Sequence, residues 1–195
     1  MVDNVLKNKN YLLLFLGSVV SNLGSHVFNF AISYYIYEIA TPTIAGIYLA
    51  TGGLVYFVLS PFGGAIVDRL DKVKVVWMTD YIRGIAVVIA GLVIFSGVSL
   101  TITLIVLFAT TIILGINGAL FNPAASSLPP HILEENQLQQ SSSLTQGMFA
   151  LYMILGSIIG GAIYSFLDIE WIFIINGISF IYFMNILNNG TIFFI

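Results

Sequence analysis

Five long stretches of this chain contain no Asp, Glu, Lys or Arg. A helix crosses about 30 Å of hydrocarbon with about 20 mostly apolar residues, and a charge at its centre costs roughly 2.5–3.5 kcal/mol on insertion scales. Only 8% of the residues are charged, compared with about 25% in a typical soluble domain. The chain is therefore predicted to cross a lipid bilayer several times. The uncharged stretches are residues 10–37, 39–67, 84–133, 136–167 and 171–195.

These stretches predict an all-α membrane protein with six spans. Residues 84–133 are too long for one span, and they break at a Ser-Gly-Val-Ser turn and at three prolines. The runs are continuously apolar, whereas the strands of a membrane barrel alternate in segments of about ten residues. The predicted spans lie near Tyr11–Tyr37, Thr43–Val67, Val75–Phe95, Leu100–Phe121, Leu144–Phe166 and Trp171–Asn188.

The basic residues of the loops predict the orientation of these spans, because cytoplasmic loops carry an excess of Lys and Arg. Every basic loop residue falls on one side of the membrane if the spans alternate. We therefore expect both termini in the cytoplasm and the protein in the plasma (inner) membrane. The loop at residues 122–143 is cytoplasmic by alternation alone. The basic residues are Lys7 and Lys9 before the first span and Arg69, Lys72 and Lys74 after the second.

The composition argues against several other functions. The net charge of −3 offers no basic surface for nucleic acid, and the absence of cysteine excludes thiolate metal sites. His26 and His131 are far apart in the sequence. The chain has no zinc-peptidase, phosphate-loop or nucleophile-elbow motif. We therefore expect no enzymatic activity, no cofactor, no metal site and no nucleic acid partner.

A short sequence recurs at the ends of the second and fifth spans. Residues 60–66 and 157–163 both read S-x-x-G-G-A-I, with an offset of 97 residues. The two spans run in opposite directions, so the halves would be two inverted three-helix repeats, which are common in secondary transporters. Chance recurrence is the alternative, because Gly, Ala and Ile are abundant in this chain.

The first span carries a narrow polar stripe. At 100° per residue its members fall within about 80° of one another. Lipid would not satisfy them, so the stripe faces either a water-filled substrate cavity or neighbouring helices through hydrogen bonds. His26, at the edge of the stripe, could take up a proton or only form a hydrogen bond. The stripe consists of Ser18, Asn22, Ser25, Asn29 and Ser33.

Three charged residues near the second and third spans have candidate functions. Asp68 lies at the carboxyl end of a predicted helix, where the helix dipole disfavours an anion. Arg69, Arg83 or the amino terminus of another helix could compensate for it. Asp80 and Arg83 are three residues apart and share a helix face. Ionisable residues at that depth pair with one another or face a cavity, so they form a structural pair or contact a substrate.

The segment from Gly64 to Lys72 resembles the G-x-x-x-D-R-x-G-R loop between helices two and three of the major facilitator superfamily. Asp71 replaces the usual glycine, as in the branch that holds macrolide-efflux proteins and the enterobactin exporter. The resemblance implies that Asp68 latches a cytoplasmic gate by docking on the other half of a transporter, together with Gly64, Arg69 and Lys72. Other segments that fit this branch are Asp80 with Arg83, Phe121 to Ala124 with Leu128-Pro129, and Leu155 to Gly161.

Full-length members of this superfamily have twelve spans, so residues 1–195 resemble an amino-terminal six-helix bundle whose carboxyl-terminal half is absent. The implied function is efflux of a small amphipathic compound, a drug or a siderophore, by alternating access. A coupling proton would be a second transported species. Ser157 stands where many exporters have proline, and the fourth span lacks an embedded arginine. The alternative is a truncated, non-transporting membrane fragment or a partner subunit. The candidate cavity residues are Asn22, Ser25, Asn29, Asn117 and Gln146.

Overall fold

The computed structural model describes residues 4–189, and their side chains through Ile181. This part of the chain is helical and contains no strand, which confirms the predicted all-α class. A 3-10 turn at Val5–Lys7 precedes the first long helix. Of the seven α-helices, α5 is a single turn, and the other six correspond to the predicted spans. The helices are α1 (Lys9–Ile39), α2 (Pro42–Val67), α3 (Lys72–Phe95), α4 (Leu100–Ser126), α5 (Pro129–Ile132), α6 (Glu135–Phe166) and α7 (Ile169–Asn189).

Five of the helices formed by the described residues are long and apolar enough to cross a membrane. The helix α7 adds a further apolar helix, of 21 residues. The connections between successive long helices are short; that between α1 and α2 is only residues 40–41. Such short connections join antiparallel neighbours. The chain is a multi-pass membrane protein.

The predicted loop at residues 122–143 is wrong in its extent, because most of it is helical. The helix α4 continues through Pro123 to Ser126, and α6 begins at Glu135, nine residues before the predicted start at Leu144. The start of α6 is fixed by a capping box, in which the Gln137 side chain accepts the Glu134 N–H at 3.4 Å. Such a box satisfies backbone donors that a helix terminus otherwise leaves free.

The packing of the helices follows the predicted twofold repeat. The first half consists of α1, α2 and α3, and the second consists of α4, α6 and α7. The contact between α2 and α4 is equivalent to the contact between α6 and α1. In the same way, the contact between α3 and α4 is equivalent to the contact between α7 and α1. The helices α3 and α7, third in their respective halves, pack on each other. Exchanging the two halves therefore maps the first four contacts onto one another in pairs and the contact between α3 and α7 onto itself. The repeated S-x-x-G-G-A-I sequence lies on the two equivalent helices, α2 and α6.

Glycines let these helices approach closely. A Cβ atom placed on Gly63 of α2 would lie 2.0 Å from the Ala119 carbonyl oxygen of α4. At the equivalent Gly160 of α6 it would lie 2.9 Å from the Val27 carbonyl oxygen of α1. Gly84 and Gly177 mark the crossing of α3 with α7, where each would place a Cβ within 3.0 Å of the other's carbonyl oxygen. Small residues of this kind are the usual interface of membrane helices.

The largest buried cluster joins α1, α2, α3, α4 and α7 at one end of the bundle. It includes Phe28, Ile36 and Tyr48, and the rings of Phe28 and Phe173 meet edge to face with centroids 4.7 Å apart. Large apolar side chains such as Phe57 are also exposed on the outer surface. An exposed apolar surface of this extent suits lipid or a second protein surface.

Candidate functional site

Arg83 connects three helices. Its Nη2 donates a hydrogen bond to Ser25 Oγ of α1 at 2.7 Å, and its guanidinium lies 4.1 Å from the ring centroid of Phe180 on α7. Nη1 is 3.9 Å from Asp80 Oδ1, one turn earlier on α3. The expectation that Asp80 and Arg83 share a face therefore agrees with the structure, and their distance is at the long limit of an ion pair. Ser25, a candidate cavity residue, lies buried beside Arg83 instead of in an open cavity.

The Asp80 carboxylate is poorly satisfied by protein groups. Its side chain is 2% exposed, and Oδ1 accepts no hydrogen bond from the described residues. An unsatisfied buried acceptor costs about 1–3 kcal/mol, and more when it is charged. Within the described part of the chain Arg83 is the one cation that pairs with it, and that guanidinium divides its contacts among Ser25, Phe180 and Asp80.

Asp80 borders a hollow of about 400 Å³ between α1, α3, α4, and α6. We call it the Asp80 hollow. It contains two of the candidate cavity residues, Asn22 and Gln146. Tyr11 also borders it and is buried, and its hydroxyl has no partner among the described residues. The complete lining is Tyr11, Leu14, Phe15, Ser18, Ser21, Asn22, Val76, Asp80, Phe121, Asn122, Ala125, Ser126, Leu128, Pro129, Ser141, Ser142, Thr145 and Gln146.

A second hollow, of about 330 Å³, lies between α1, α2 and α4 and contains Asn29 and Ser33. We call it the Asn29 hollow. Tyr56 borders this hollow, and its hydroxyl accepts a hydrogen bond of 3.2 Å from Asn122, which borders the Asp80 hollow. The polar stripe of α1 is therefore divided between two hollows, with Ser25 between them.

Asn117 borders neither hollow. It is buried, and its side-chain amide donates to the Ile113 carbonyl oxygen at 2.8 Å, within α4. His26 packs between aromatic rings, edge to face with Phe149 and stacked with Tyr152. The structure thus brings Asn22 and Gln146 together, keeps Asn29 in the other hollow, and keeps Asn117 in the helix packing.

The loop between α2 and α3 presents Asp68 and Arg69 to the outside. Asp68 is the C-cap residue of α2, and its side chain is exposed. Among the described residues neither Asp68 nor Arg69 forms an ion pair. Arg83, a candidate partner of Asp68, contacts Ser25, Phe180 and Asp80 instead. A methyl group added at Gly64 would meet nothing within 4 Å. This face of α2 therefore has no covering element within the described part of the chain.

Asp71, the departure from the usual motif glycine, has a structural use here. Its Oδ1 accepts hydrogen bonds from the backbone N–H groups of Val73 and Lys74, at 3.1 and 3.2 Å. It is thus the N-cap of α3, a position that Asp and Asn favour. Lys74 Nζ lies 3.8 Å from the same carboxylate, while Lys72 in the first turn is half-buried.

Sequence reasoning did not find Tyr11, Ser21, Ser141 or Thr145 as lining residues. Ser141 falls in the predicted loop before Leu144, and Tyr11 is only the start of the first predicted span. The capping sequence at residues 134–137 could have predicted both positions. It indicates that α6 begins at Glu135, and the added turns of α6 pack beside the beginning of α1.

The arrangement is that of a membrane-embedded helical half-bundle with polar hollows between its helices. The family model of the Major Facilitator Superfamily matches residues 14–187. The chain therefore belongs to the Major Facilitator Superfamily, a family of membrane transporters.

Relatives among known proteins support this membership. The MFS-type transporter YkuC of Bacillus subtilis (strain 168) is 26% identical over 183 residues, which are 91% of this chain and 41% of YkuC. Macrolide efflux protein A of Streptococcus pyogenes is 26% identical over 162 residues, 82% of this chain and 39% of that protein. The chain thus spans about two fifths of the length of these relatives. No solved structure matches the chain.

Proposed function

We propose that residues 1–195 act as the amino-terminal half of an exporter that moves a small amphipathic compound, a drug or a siderophore, across the plasma membrane by alternating access. The observation that carries this proposal is the family membership together with a similarity to a macrolide efflux protein. Both termini of the half would be cytoplasmic, as the distribution of Lys and Arg indicates. A proton is the proposed coupling ion.

The polar residues of α1 support a transport path. Asn22 and Asn29 are exposed on a helix that is apolar and long enough to cross a membrane, and each borders a hollow. Substrate sites of such transporters lie between two repeated halves that move against each other. We therefore assign Asn22, Asn29 and Gln146 to the substrate path and treat Ser25 and Asn117 as its supporting packing.

The Asp68 loop supports a gate that involves a second half. An anion at a helix carboxyl terminus is unfavourable by about 0.3–1 kcal/mol, and this one has no ion pair among the described residues. In our proposal the compensating groups come from the other half, which docks on Asp68, Arg69 and the open face at Gly64 when the cavity opens outward. Lys72, at the start of α3, borders the same loop. In this proposal Asp80 and Arg83, further along α3, hold that helix in place through the contact of Arg83 with Ser25 of α1.

A second candidate function is that of a partner subunit or a non-transporting fragment. The observation that favours it is coverage, because the chain matches only 41% of YkuC and 39% of the macrolide efflux protein. Expression of the whole gene that encodes these residues separates the two candidates. A product with six further spans supports the exporter, and a product of this half alone supports the second candidate.

The function is tested by measuring uptake of a radiolabelled macrolide and a radiolabelled siderophore into inside-out vesicles that contain the whole gene product. Asp68→Asn should reduce transport at least tenfold, because the gate loses its anion. The same change should leave the folded half as stable as before or slightly more stable, since it removes an unfavourable charge from the helix end.

Asp71→Asn is the matched control. It removes one negative charge from the same loop, three residues away, and asparagine caps a helix as well as aspartate does. Normal transport by Asp71→Asn with loss in Asp68→Asn supports the gate. Equal transport by Asp68→Asn and the unmodified protein would refute the latch, and absence of transport by the unmodified protein for every compound would refute the exporter.

A further inference from the structure

Two residues that line the Asp80 hollow each carry a buried polar atom without a hydrogen-bond partner among the described residues. Asp80 Oδ1 and the Tyr11 hydroxyl oxygen accept or donate no hydrogen bond among the described residues. Asp80 is 1% exposed and Tyr11 is 2% exposed. Each unsatisfied buried group costs about 1–3 kcal/mol, and the two lie on different helices, α3 and α1. Their arrangement around one hollow is that of a binding site for a group that donates hydrogen bonds.

The electrostatics of the hollow favour a cation. Asp80 is the only charged side chain among its lining residues, and Tyr11 is the only other titratable one. The portions of α4, α5 and α6 that line the hollow contribute only neutral groups. Arg83 does not line the hollow; its guanidinium contacts Ser25 and Phe180, and its Nη1 lies 3.9 Å from Asp80 Oδ1, at the long limit of an ion pair. A positively charged group in the hollow would therefore meet a carboxylate that Arg83 only weakly neutralises, and no cation among the lining residues.

The walls of the hollow define the rest of the ligand. Tyr11, Phe15 and Phe121 contribute aromatic rings, which attract cations through their faces. Leu14 and Val76 add aliphatic surface. A volume of about 400 Å³ lies within the range of small-molecule sites, about 300–1,000 Å³. Among the described residues no group of three or more His, Cys, Asp or Glu side chains could hold a metal ion, and Asp80 is the one carboxylate of this lining.

We propose that the Asp80 hollow binds the protonated amine of a small amphipathic compound, with the ammonium N–H donating to Asp80 and the apolar part lying against Tyr11, Phe15 and Phe121. This inference rests on the proposed exporter function and names its substrate class, amphipathic amines. Because all of the lining residues belong to this chain, binding requires only this half.

Binding of a matched pair of fluorescent probes to the purified 195-residue chain in lipid nanodiscs tests the proposal. One probe is dansyl amide with a dimethylaminopropyl tail, which is protonated at neutral pH. The other has a 4-methylpentyl tail, which has the same shape and no charge. The chain should bind the amine at least tenfold more tightly than the neutral probe. Asp80→Asn should remove that preference and leave the Kd of the neutral probe within about twofold.

Two further variants control the result. Asp71→Asn, at the N-cap of the same helix and outside the hollow, should keep the preference for the amine. Tyr11→Phe keeps the ring and removes the unpartnered hydroxyl, and it should weaken amine binding by a factor of about two to five. If Asp80→Asn fails to fold, the comparison of the two probes on the unmodified chain still decides the proposal.

Equal affinity of the unmodified chain for both probes would overturn the inference, as would a preference that survives Asp80→Asn. Failure of the inference is distinguishable from failure of the proposed function. If the whole gene product exports neutral compounds but its half shows no amine preference, the exporter stands and the amine site falls. If the half prefers the amine but the whole gene product exports nothing, the site stands and the exporter falls.

Discussion

Adjacent glycines of α2, Gly63 and Gly64, should respond in opposite ways to the same substitution. Gly63 lies against α4, where an added Cβ would be 2.0 Å from the Ala119 carbonyl oxygen and 2.8 Å from its carbon. These are backbone atoms, so no side-chain rotation relieves the clash. Gly64 has nothing within 4 Å of an added Cβ. Gly63→Ala should therefore destabilise the bundle, and Gly64→Ala should not.

The expected size follows from the geometry. The helices α2 and α4 would have to separate by about 1 Å or more before an added methyl group reached an ordinary contact distance, and that separation loosens the interface along its length. Overpacking of this kind costs about 1–3 kcal/mol. Alanine is a better helix former than glycine by about 0.5–1 kcal/mol, and this gain applies to both variants. The difference between the variants should therefore equal the overpacking cost, about 1–3 kcal/mol.

The measurement is thermal unfolding of the purified chain in detergent, followed by helical circular dichroism. For a chain of this size a difference of 1–3 kcal/mol corresponds to roughly 2–12 °C in Tm. Gly64→Ala is the matched control, since it is the neighbouring residue in the same helix. A Tm for Gly63→Ala equal to or above that of Gly64→Ala would refute the close approach of α2 to α4.

Two other predictions follow from the orientation and the half-bundle. Single cysteines at Lys72 and at Asp168 should be labelled by a membrane-impermeant maleimide from opposite sides of the membrane, with no native cysteine to interfere; labelling from the same side would contradict the predicted topology. The 195-residue chain reconstituted alone should give no saturable flux of labelled antibiotics or siderophores, because alternating access needs a second half; saturable flux absent from protein-free vesicles would show that the half is sufficient.

The spans could be predicted because lipid imposes a strong and simple constraint. Backbone groups must be satisfied within each segment, so only continuous helices fit an uncharged run of about 20 residues. The two inverted repeats also followed from the recurrence at residues 60–66 and 157–163. That constraint does not apply to polar segments. The prediction that α6 begins at Leu144 was wrong because the mostly polar residues 135–143 also form helix, and the capping box at Glu134 fixes its start.

The site could be predicted only in part, because burial of a polar residue depends on the register between helices. The stripe on α1 was visible from its period, but the separation of Asn22 from Asn29 into two hollows depends on where Arg83 of α3 reaches across to Ser25. That contact fixes the relative height of α1 and α3, which no periodicity within a single helix reveals. The position of Tyr11 in the lining could not be predicted for the same reason. Tyr11 lines the hollow only because α6 packs beside the beginning of α1.

Pro123 connects the packing of the bundle to the hollows. Proline has no N–H, so it cannot donate to the carbonyl group four residues earlier, which belongs to Ala119. That carbonyl oxygen is the atom that meets Gly63, and a glycine is the residue whose surface can approach a free carbonyl so closely. The adjacent Asn122 then reaches Tyr56 of α2 at 3.2 Å. Pro123 thus releases the carbonyl group that lies nearest Gly63, and the neighbouring Asn122 links α4 to α2 where it joins the two hollows through Tyr56.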